Sequence, residues 1–147
     1  MFKHLLVPID GGDLAERAMQ AGIDLACQLG ASITAFVAEP LALPLGAAYS
    51  ATRYVRAMEE HDHETAAHAQ AVLASFERRA KAAGVPFTGV STQCTQIEVA
   101  IADIANQQGC DIIMMVTHGR GPFGELLFGS HTKGVMSRSK LPLLVLH

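Results

Sequence analysis

The sequence lacks three features that would each define a class of protein: a long apolar run, a basic cluster and a cysteine framework. No apolar run approaches the roughly 18 residues needed to cross a bilayer, so we expect no membrane partner. Eleven basic and fourteen acidic residues give a formal net charge of −3, and without a basic cluster nucleic acid is an unexpected partner. The cysteines, Cys27, Cys94 and Cys110, are widely spaced. This spacing predicts buried thiols and argues against a disulfide framework or a zinc site.

The amino-terminal segment also lacks the apolar core of a signal peptide, because Met1 to His4 lead directly into a short strand-like run. We therefore expect a cytoplasmic protein. The chain has 147 residues, of which 50% are hydrophobic, and this is enough to build one complete core. A single domain over residues 1–147 is predicted.

Strand-like and helix-like segments alternate along the chain. Strands are predicted at His4 to Ile9, Ser32 to Ala38, Phe87 to Gln93, the apolar run after Asp111, and Leu143 to Leu146. Helices are predicted from about Leu14 to Leu29, from between Ala51 and Met58 to near Ala83, from Ile97 to Gln108, and from Ser130 to Ser139. This alternation predicts an α/β fold, an open doubly wound parallel sheet with helices on both faces. The weakly apolar third strand is expected at a sheet edge.

The most informative stretch runs from Asp111 to Lys133, where an apolar run changes abruptly into a glycine-rich loop. Ser130, a good helix N-cap, follows Gly129 and opens a short helix. Glycines let backbone N–H groups approach a phosphate, and the first helical turn adds partial positive charge. The stretch therefore predicts an anion site.

Two common nucleotide motifs fit this stretch poorly. Residues Gly119 to Gly124 match the dinucleotide pattern G-x-G-x-x-G, but they contain Pro122, and no acidic residue follows Glu125 to bind a ribose. Residues Gly124 to Ser130 resemble a P-loop without its lysine, so the group that reaches the terminal phosphates is missing. Both interpretations are set aside.

A third pattern fits better. Gly119, nine intervening residues, and then Gly129 and Ser130 resemble the G-x2-G-x9-G-[ST] motif of the universal stress protein family. The opening segment Lys3 to Asp10, the pair Phe36 and Val37, and the closing segment Leu141 to Leu146 also resemble that family. The resemblance implies a Rossmann-like, adenine nucleotide alpha hydrolase-like fold with strand order 3-2-1-4-5. One position departs from the pattern, since Val116 stands where the motif has its first glycine. A Val116 side chain in the cavity would obstruct the ribose or the phosphates, whereas one that points into the core as a strand residue would change little.

The general rule for doubly wound sheets selects the same region as the motif. Ligands bind beyond the carboxyl ends of the strands where the strand order reverses. For the strand order that the resemblance implies, this point lies between the first and fourth strands. The resemblance implies that adenine and ribose contact Pro8, Ile9, Asp10 and Val37. It implies that ribose and phosphates contact Met115, His118, Gly119, Gly129, Ser130, His131 and Thr132. Asp10 could also be only a turn or helix-capping carboxylate, Ser130 only an N-cap, and Gly129 only a turn glycine.

For function, the resemblance implies a universal stress protein that acts as a regulatory module and binds ATP, alone or with Mg²⁺ or Mn²⁺. It also implies a homodimer through the strand Leu143 to Leu146, with unknown protein partners. The alternative is a nucleotide-free dimeric interaction protein with a structural glycine loop, which Val116 favours. A nucleotide hydrolase or transferase using His118 or His131 is a third hypothesis. Without a P-loop lysine or an activating base, any ATP hydrolysis is expected to be slow.

Two further segments have less specific signals. His61 and His68 share one helix face and His63 lies off it, a spacing that favours a solvated polar face over a metal site. Residues Glu39 to Tyr49 combine prolines with apolar residues, and we interpret them as a lid or a partner-facing loop.

Overall fold

The structure, a computed structural model, describes residues 1–42, 50–117 and 130–147. Strands and helices alternate in the predicted order: β1 (His4–Pro8), α1 (Ala15–Leu29), β2 (Ser32–Pro40), α2 (Ala51–Ala82), β3 (Phe87–Cys94), α3 (Ile97–Gln107), β4 (Ile112–Val116), α4 (Ser130–Arg138) and β5 (Leu143–Leu146). Most ends lie within two residues of the prediction. Strand β2 extends to Pro40, into the predicted lid, and residues 43–49 of that segment lie outside the described residues.

All five strands are parallel and follow the order β3-β2-β1-β4-β5. The predicted fold class and strand order are therefore confirmed. Strand β1 lies in the centre, where Leu5 pairs with Ile33 of β2 and with Ile112 of β4. Strand β3, predicted at an edge because it is weakly apolar, does lie at one edge, and β5 lies at the other.

The two faces of the sheet carry two separate hydrophobic clusters, because successive side chains of a strand point to opposite faces. Leu5, Val7, Ile33 and Met114 pack with buried residues of α1 and α2. Leu6, Phe36, Ile113 and Met115 pack with residues of α3 and α4. Burial on both faces explains why β1 and β4 are continuous apolar runs.

The turns between helices and strands use glycine where the backbone needs a positive φ. Gly30 has φ 59° and ends α1, with its N–H donating to carbonyl oxygens of the last helical turn. Only glycine adopts this left-handed conformation without a steric cost. Within the described residues, none of the helices is long and apolar enough to cross a bilayer.

The prediction of buried thiols is right for one cysteine out of three. Cys110 is buried, but Cys27 is exposed on α1 and Cys94 is half-buried at the end of β3. Burial raises the pKa of the Cys110 thiol to about 11, because a thiolate is poorly solvated there. Cys27 lies near the carboxyl end of its helix, on a face that the core does not cover.

Candidate functional site

A cavity of about 410 Å³ opens at the carboxyl ends of β1 and β4, where the strand order reverses. Its volume is typical of small-ligand sites. Residues from three strands, the turn after β1, and helices α1, α3 and α4 line it: Pro8, Ile9, Asp10, Leu14, Ala15, Ala18, Phe36, Ala38, Ile97, Ile101, Met115, Val116, Thr117, His131 and Thr132. The cavity is thus at the position that the switch-point rule predicts.

The structure brings together six of the predicted site residues, namely Pro8, Ile9, Asp10, Met115, His131 and Thr132. Ser130 begins α4 and is exposed beside the cavity without lining it. The Val37 side chain is 2% exposed and packs into the core on the α1 and α2 face. Its neighbours Phe36 and Ala38 line the cavity instead. His118, Gly119 and Gly129 lie outside the described residues.

Asp10 both shapes the turn after β1 and lines the cavity. Its carboxyl oxygen Oδ1 accepts from the Gly12 N–H at 2.8 Å, and its backbone carbonyl oxygen accepts from Nε2 of His68 at 2.9 Å. Asp10 does not cap α1, because the N-cap of that helix is Leu14. The turn interpretation of Asp10 is therefore correct. It does not compete with ligand binding, because the turn bond uses only Oδ1 and the side chain is exposed beside the cavity.

On the opposite side of the cavity, His131 on α4 pairs with Glu98 in the first turn of α3. His131 Nδ1 lies 3.4 Å from Oε2 of Glu98. The pKa of Glu98 is lowered by a backbone hydrogen bond at the helix start, and further by the His131 hydrogen bond and the nearby Arg138 cation. An ionised Glu98 can only accept, so His131 carries its proton on Nδ1.

The close approach of α3 and α4 at this pair depends on Gly134. A Cβ atom on Gly134 would lie 2.7 Å from Cγ of Glu98 and 2.9 Å from its Cβ. Only a residue without a side chain fits between the two helices. Gly134 thus sets how near α4, with His131 and Thr132, lies to the cavity.

Val116, which replaces the first motif glycine, is the last residue of β4. It is half-buried, packs against the cluster under α1 and α2, and also lines the cavity. Its side chain therefore belongs to the core face and to the cavity wall. The two possibilities that the sequence left open, a core residue or a cavity residue, both apply.

The lining combines apolar side chains with the starts of three helices. Phe36, Ala38, Ile101 and Met115 are apolar, while the first turns of α1, α3 and α4 contribute lining residues. Unpaired N–H groups of a first turn carry partial positive charge and favour anions. A ligand with an apolar group and an anionic group matches both features.

Sequence reasoning did not find the lining residues of α1, α3 and β2. Leu14 and Ala18 belong to the apolar face of α1 and Ile101 to that of α3, while Ala15 and Ile97 begin these helices. The available signal was position, since these residues lie near the starts of helices that begin at the carboxyl edge of the sheet. Apolar periodicity alone does not separate such residues from the core.

Comparison with known proteins decides the family. The sequence model of the universal stress protein family matches residues 1–147. The chain belongs to this family. A curated relative, universal stress protein MJ0577 of Methanocaldococcus jannaschii, is 44% identical over 45 residues, which cover 31% of this chain and 28% of that protein. The matched segment is thus under a third of the relative's length.

Solved structures of the family share the fold over nearly the whole chain. UspA of Lactobacillus plantarum has a TM-score of 0.79 at 21% identity and covers 99% of this chain and 98% of its own. A universal stress protein in complex with cAMP has a TM-score of 0.69 at 22% identity, with 99% and 97% covered. The dAMP complex of an Archaeoglobus fulgidus universal stress protein has a TM-score of 0.67 at 15% identity, with 100% and 98% covered.

Proposed function

We propose that this universal stress protein is a regulatory module of the stress response that binds ATP in the cavity between β1 and β4. The observation that carries the proposal is the position of the cavity. It lies at the reversal of the strand order, and it contacts both Asp10 after β1 and the start of α4, where the family's glycine motif ends. Two solved relatives are complexes with cAMP and with dAMP, which supports an adenine nucleotide as the ligand class.

Each part of the nucleotide has a matching group in the cavity. Adenine packs against the apolar wall that Phe36, Ala38 and Met115 form. The Asp10 carboxylate accepts from ribose hydroxyls. The phosphates lie at the start of α4, where backbone N–H groups and the hydroxyls of Ser130 and Thr132 can donate. His118, Gly119 and Gly129 stay in the proposed site as predictions from the motif.

A divalent cation, Mg²⁺ or Mn²⁺, would bind mainly through the phosphates and water in this arrangement. The described residues contain no group of three or more His, Cys, Asp or Glu side chains that could hold a metal ion. Magnesium sites of nucleotide-binding proteins commonly need only one or two carboxylates besides phosphate and water. Asp10 is the lining carboxylate that could contribute.

The regulatory role rests on binding, with hydrolysis at most slow. His131, a histidine that lines the cavity, is paired with Glu98, and no serine or cysteine is among the described residues that line it.

We also propose a cytoplasmic homodimer through β5, whose four residues Leu143 to Leu146 are apolar and only half-buried at the sheet edge. An apolar edge strand favours pairing with a second copy. The protein partners of the dimer stay unidentified.

The second candidate is a nucleotide-free dimeric interaction protein of the same family, and Val116 is the observation that favours it. A branched side chain at the end of β4 takes up cavity space that a glycine would leave open. In that case the glycine loop has a structural role, and the function lies in the dimer and its partners.

Isothermal titration calorimetry with ATP, with and without Mg²⁺, separates the two candidates. Micromolar binding by the wild type supports the nucleotide site. Absence of binding by the wild type, together with binding by Val116→Gly, supports the nucleotide-free candidate. Absence of binding by both proteins contradicts an ATP site in this cavity.

A pair of leucine variants locates the binding. Ala38→Leu adds bulk to the cavity wall and is expected to weaken ATP binding at least tenfold. Ala74→Leu adds the same bulk to a half-buried position on α2 that does not line the cavity, and it should leave the affinity unchanged. Equal affinities of both variants and the wild type would place the ligand elsewhere.

A further inference from the structure

Three side-chain hydrogen bonds connect the middle of α2 to the carboxyl ends of three strands. Nε2 of His68 donates to the carbonyl oxygen of Asp10 after β1 at 2.9 Å, and Nε2 of His61 donates to the carbonyl oxygen of Pro40 in β2 at 2.9 Å. Nε2 of Gln93 in β3 donates to Oδ1 of Asp62 at 2.8 Å. His63 and His68 are exposed, as the predicted solvated face requires, and His61 is half-buried. His61 and His68 in addition bind backbone carbonyls at the carboxyl edge of the sheet.

The bond from His68 matters most, because it reaches Asp10, the one acidic residue among the described residues that line the cavity. The turn after Asp10 is tightly packed under the same part of α2. Gly11 has φ +78°, and a Cβ atom there would lie 2.6 Å from Cγ2 of Val72 and 2.9 Å from the His68 ring. The chain can pass this close to α2 only because Gly11 has no side chain and tolerates the left-handed conformation.

The Asp10 carboxylate is thus constrained from two directions. Its own backbone carbonyl is bound by His68, and its Oδ1 atom is bound by the N–H of Gly12 two residues later. A side chain that must accept from a ligand binds best when its position is fixed beforehand, since less freedom is then lost on binding. Exposed loops do not supply such order by themselves.

We infer that His68 is a positioning residue, which holds the turn after β1 so that the Asp10 carboxylate faces the ribose hydroxyls of a nucleotide. This inference rests on the proposed function, in which Asp10 accepts from those hydroxyls. His68 does not line the cavity and acts through Asp10 alone. The loss on removing it is therefore confined to ligands that carry ribose hydroxyls.

The test compares the affinities of AMP and its 2′,3′-dideoxy analogue for four proteins by calorimetry. His68→Ala is expected to bind AMP about tenfold more weakly, the size of one lost hydrogen bond, and to bind the dideoxy analogue as the wild type does. His68→Gln keeps a side-chain N–H donor and is expected to restore most of the AMP affinity. His63→Ala is the matched control, because His63 is exposed on the same helix and contacts neither the turn nor the cavity.

Equal losses for both ligands in His68→Ala, or no loss for either, would overturn the positioning role. So would a further loss of AMP affinity when His68→Ala is added to Asp10→Ala, since a residue that acts through Asp10 has no effect once Asp10 is gone.

A measurement without ligand separates this inference from the proposed function. The Gly12 amide, bound to Asp10 Oδ1, should exchange its hydrogen faster in His68→Ala than in the wild type and in His63→Ala. If the wild type binds no nucleotide, the proposed function fails, and faster Gly12 exchange still supports His68 as the residue that orders the turn. Unchanged exchange of the Gly12 amide overturns that role.

Discussion

Replacing Gly134 with alanine tests whether the contact between α3 and α4 is as close as the structure has it. The new Cβ atom would lie 2.7 Å from Cγ of Glu98 and 2.9 Å from its Cβ, whereas carbon atoms prefer about 3.5 to 4.0 Å. Because Cβ of Glu98 is fixed to the α3 backbone, rotation of the Glu98 side chain cannot relieve the whole contact, and the helices must separate.

Two opposing effects determine the free energy of unfolding of Gly134→Ala. Alanine in place of glycine inside a helix stabilises by about 1 kcal/mol, and overpacking costs about 1 to 3 kcal/mol. We expect a net loss of between about 0 and 2 kcal/mol, measured by urea denaturation. Adding Glu98→Ala removes Cγ and should recover part of the loss.

Gly22→Ala on α1 is the matched control for this prediction. Its new Cβ would lie 3.3 Å from Cγ2 of Val7 and 3.5 Å from the nearest atoms of Met114 and Phe76, close to ordinary contact. The change in its free energy of unfolding should therefore be more favourable than that of Gly134→Ala. A gain of about 1 kcal/mol in Gly134→Ala, the full helix-propensity effect, would refute the close contact of α3 and α4.

Two further predictions concern the core. Phe76→Ala removes a ring that is 0% exposed and whose centroid lies 5.2 Å from that of the Phe87 ring. The free energy of unfolding, measured by urea denaturation, should therefore fall by about 3 to 5 kcal/mol. A loss below about 1 kcal/mol would contradict the place of Phe76 in the core. The raised pKa of Cys110, about 11 instead of 9.0, means that between these pH values the unfolded chain releases the thiol proton and the folded chain keeps it. The contribution of this thiol to stability is therefore fully present below pH 9 and falls by about 1 to 3 kcal/mol as the pH rises to 11. This fall should appear in the difference between the pH–stability curves of the wild type and Cys110→Ala, and a difference that does not change with pH would contradict it.

The sequence predicts the fold well because the core uses strong local patterns. Both central strands are continuous apolar runs, and burial on two faces requires that composition. Gly30, Gly84 and Gly109 stand at the turns where the structure has positive φ values. Only the exact ends of elements differ, as for β2, which gains two residues by pairing with β3 up to Pro40.

The candidate site is predictable only in part. Residues next to strand ends, such as Asp10 and Met115, follow from the strand order and the switch-point rule. Residues such as Ala18 and Ile101 follow only from how the helices lie over the sheet, which apolar periodicity does not specify. The hydrogen bond of His68 was missed for a related reason, since its partner is a backbone carbonyl 58 residues away in the chain.

The central claim is that an adenine nucleotide binds at the switch point between β1 and β4. Titration of the ¹⁵N-labelled protein with ATP, followed by amide chemical shifts, tests it most directly. The largest shifts are expected at Ile9, Asp10, Thr117, His131 and Thr132, which line the cavity. A second cavity is lined by residues between Cys94 and Asp103, and saturable shifts centred there would contradict the claim. So would the absence of any saturable shift.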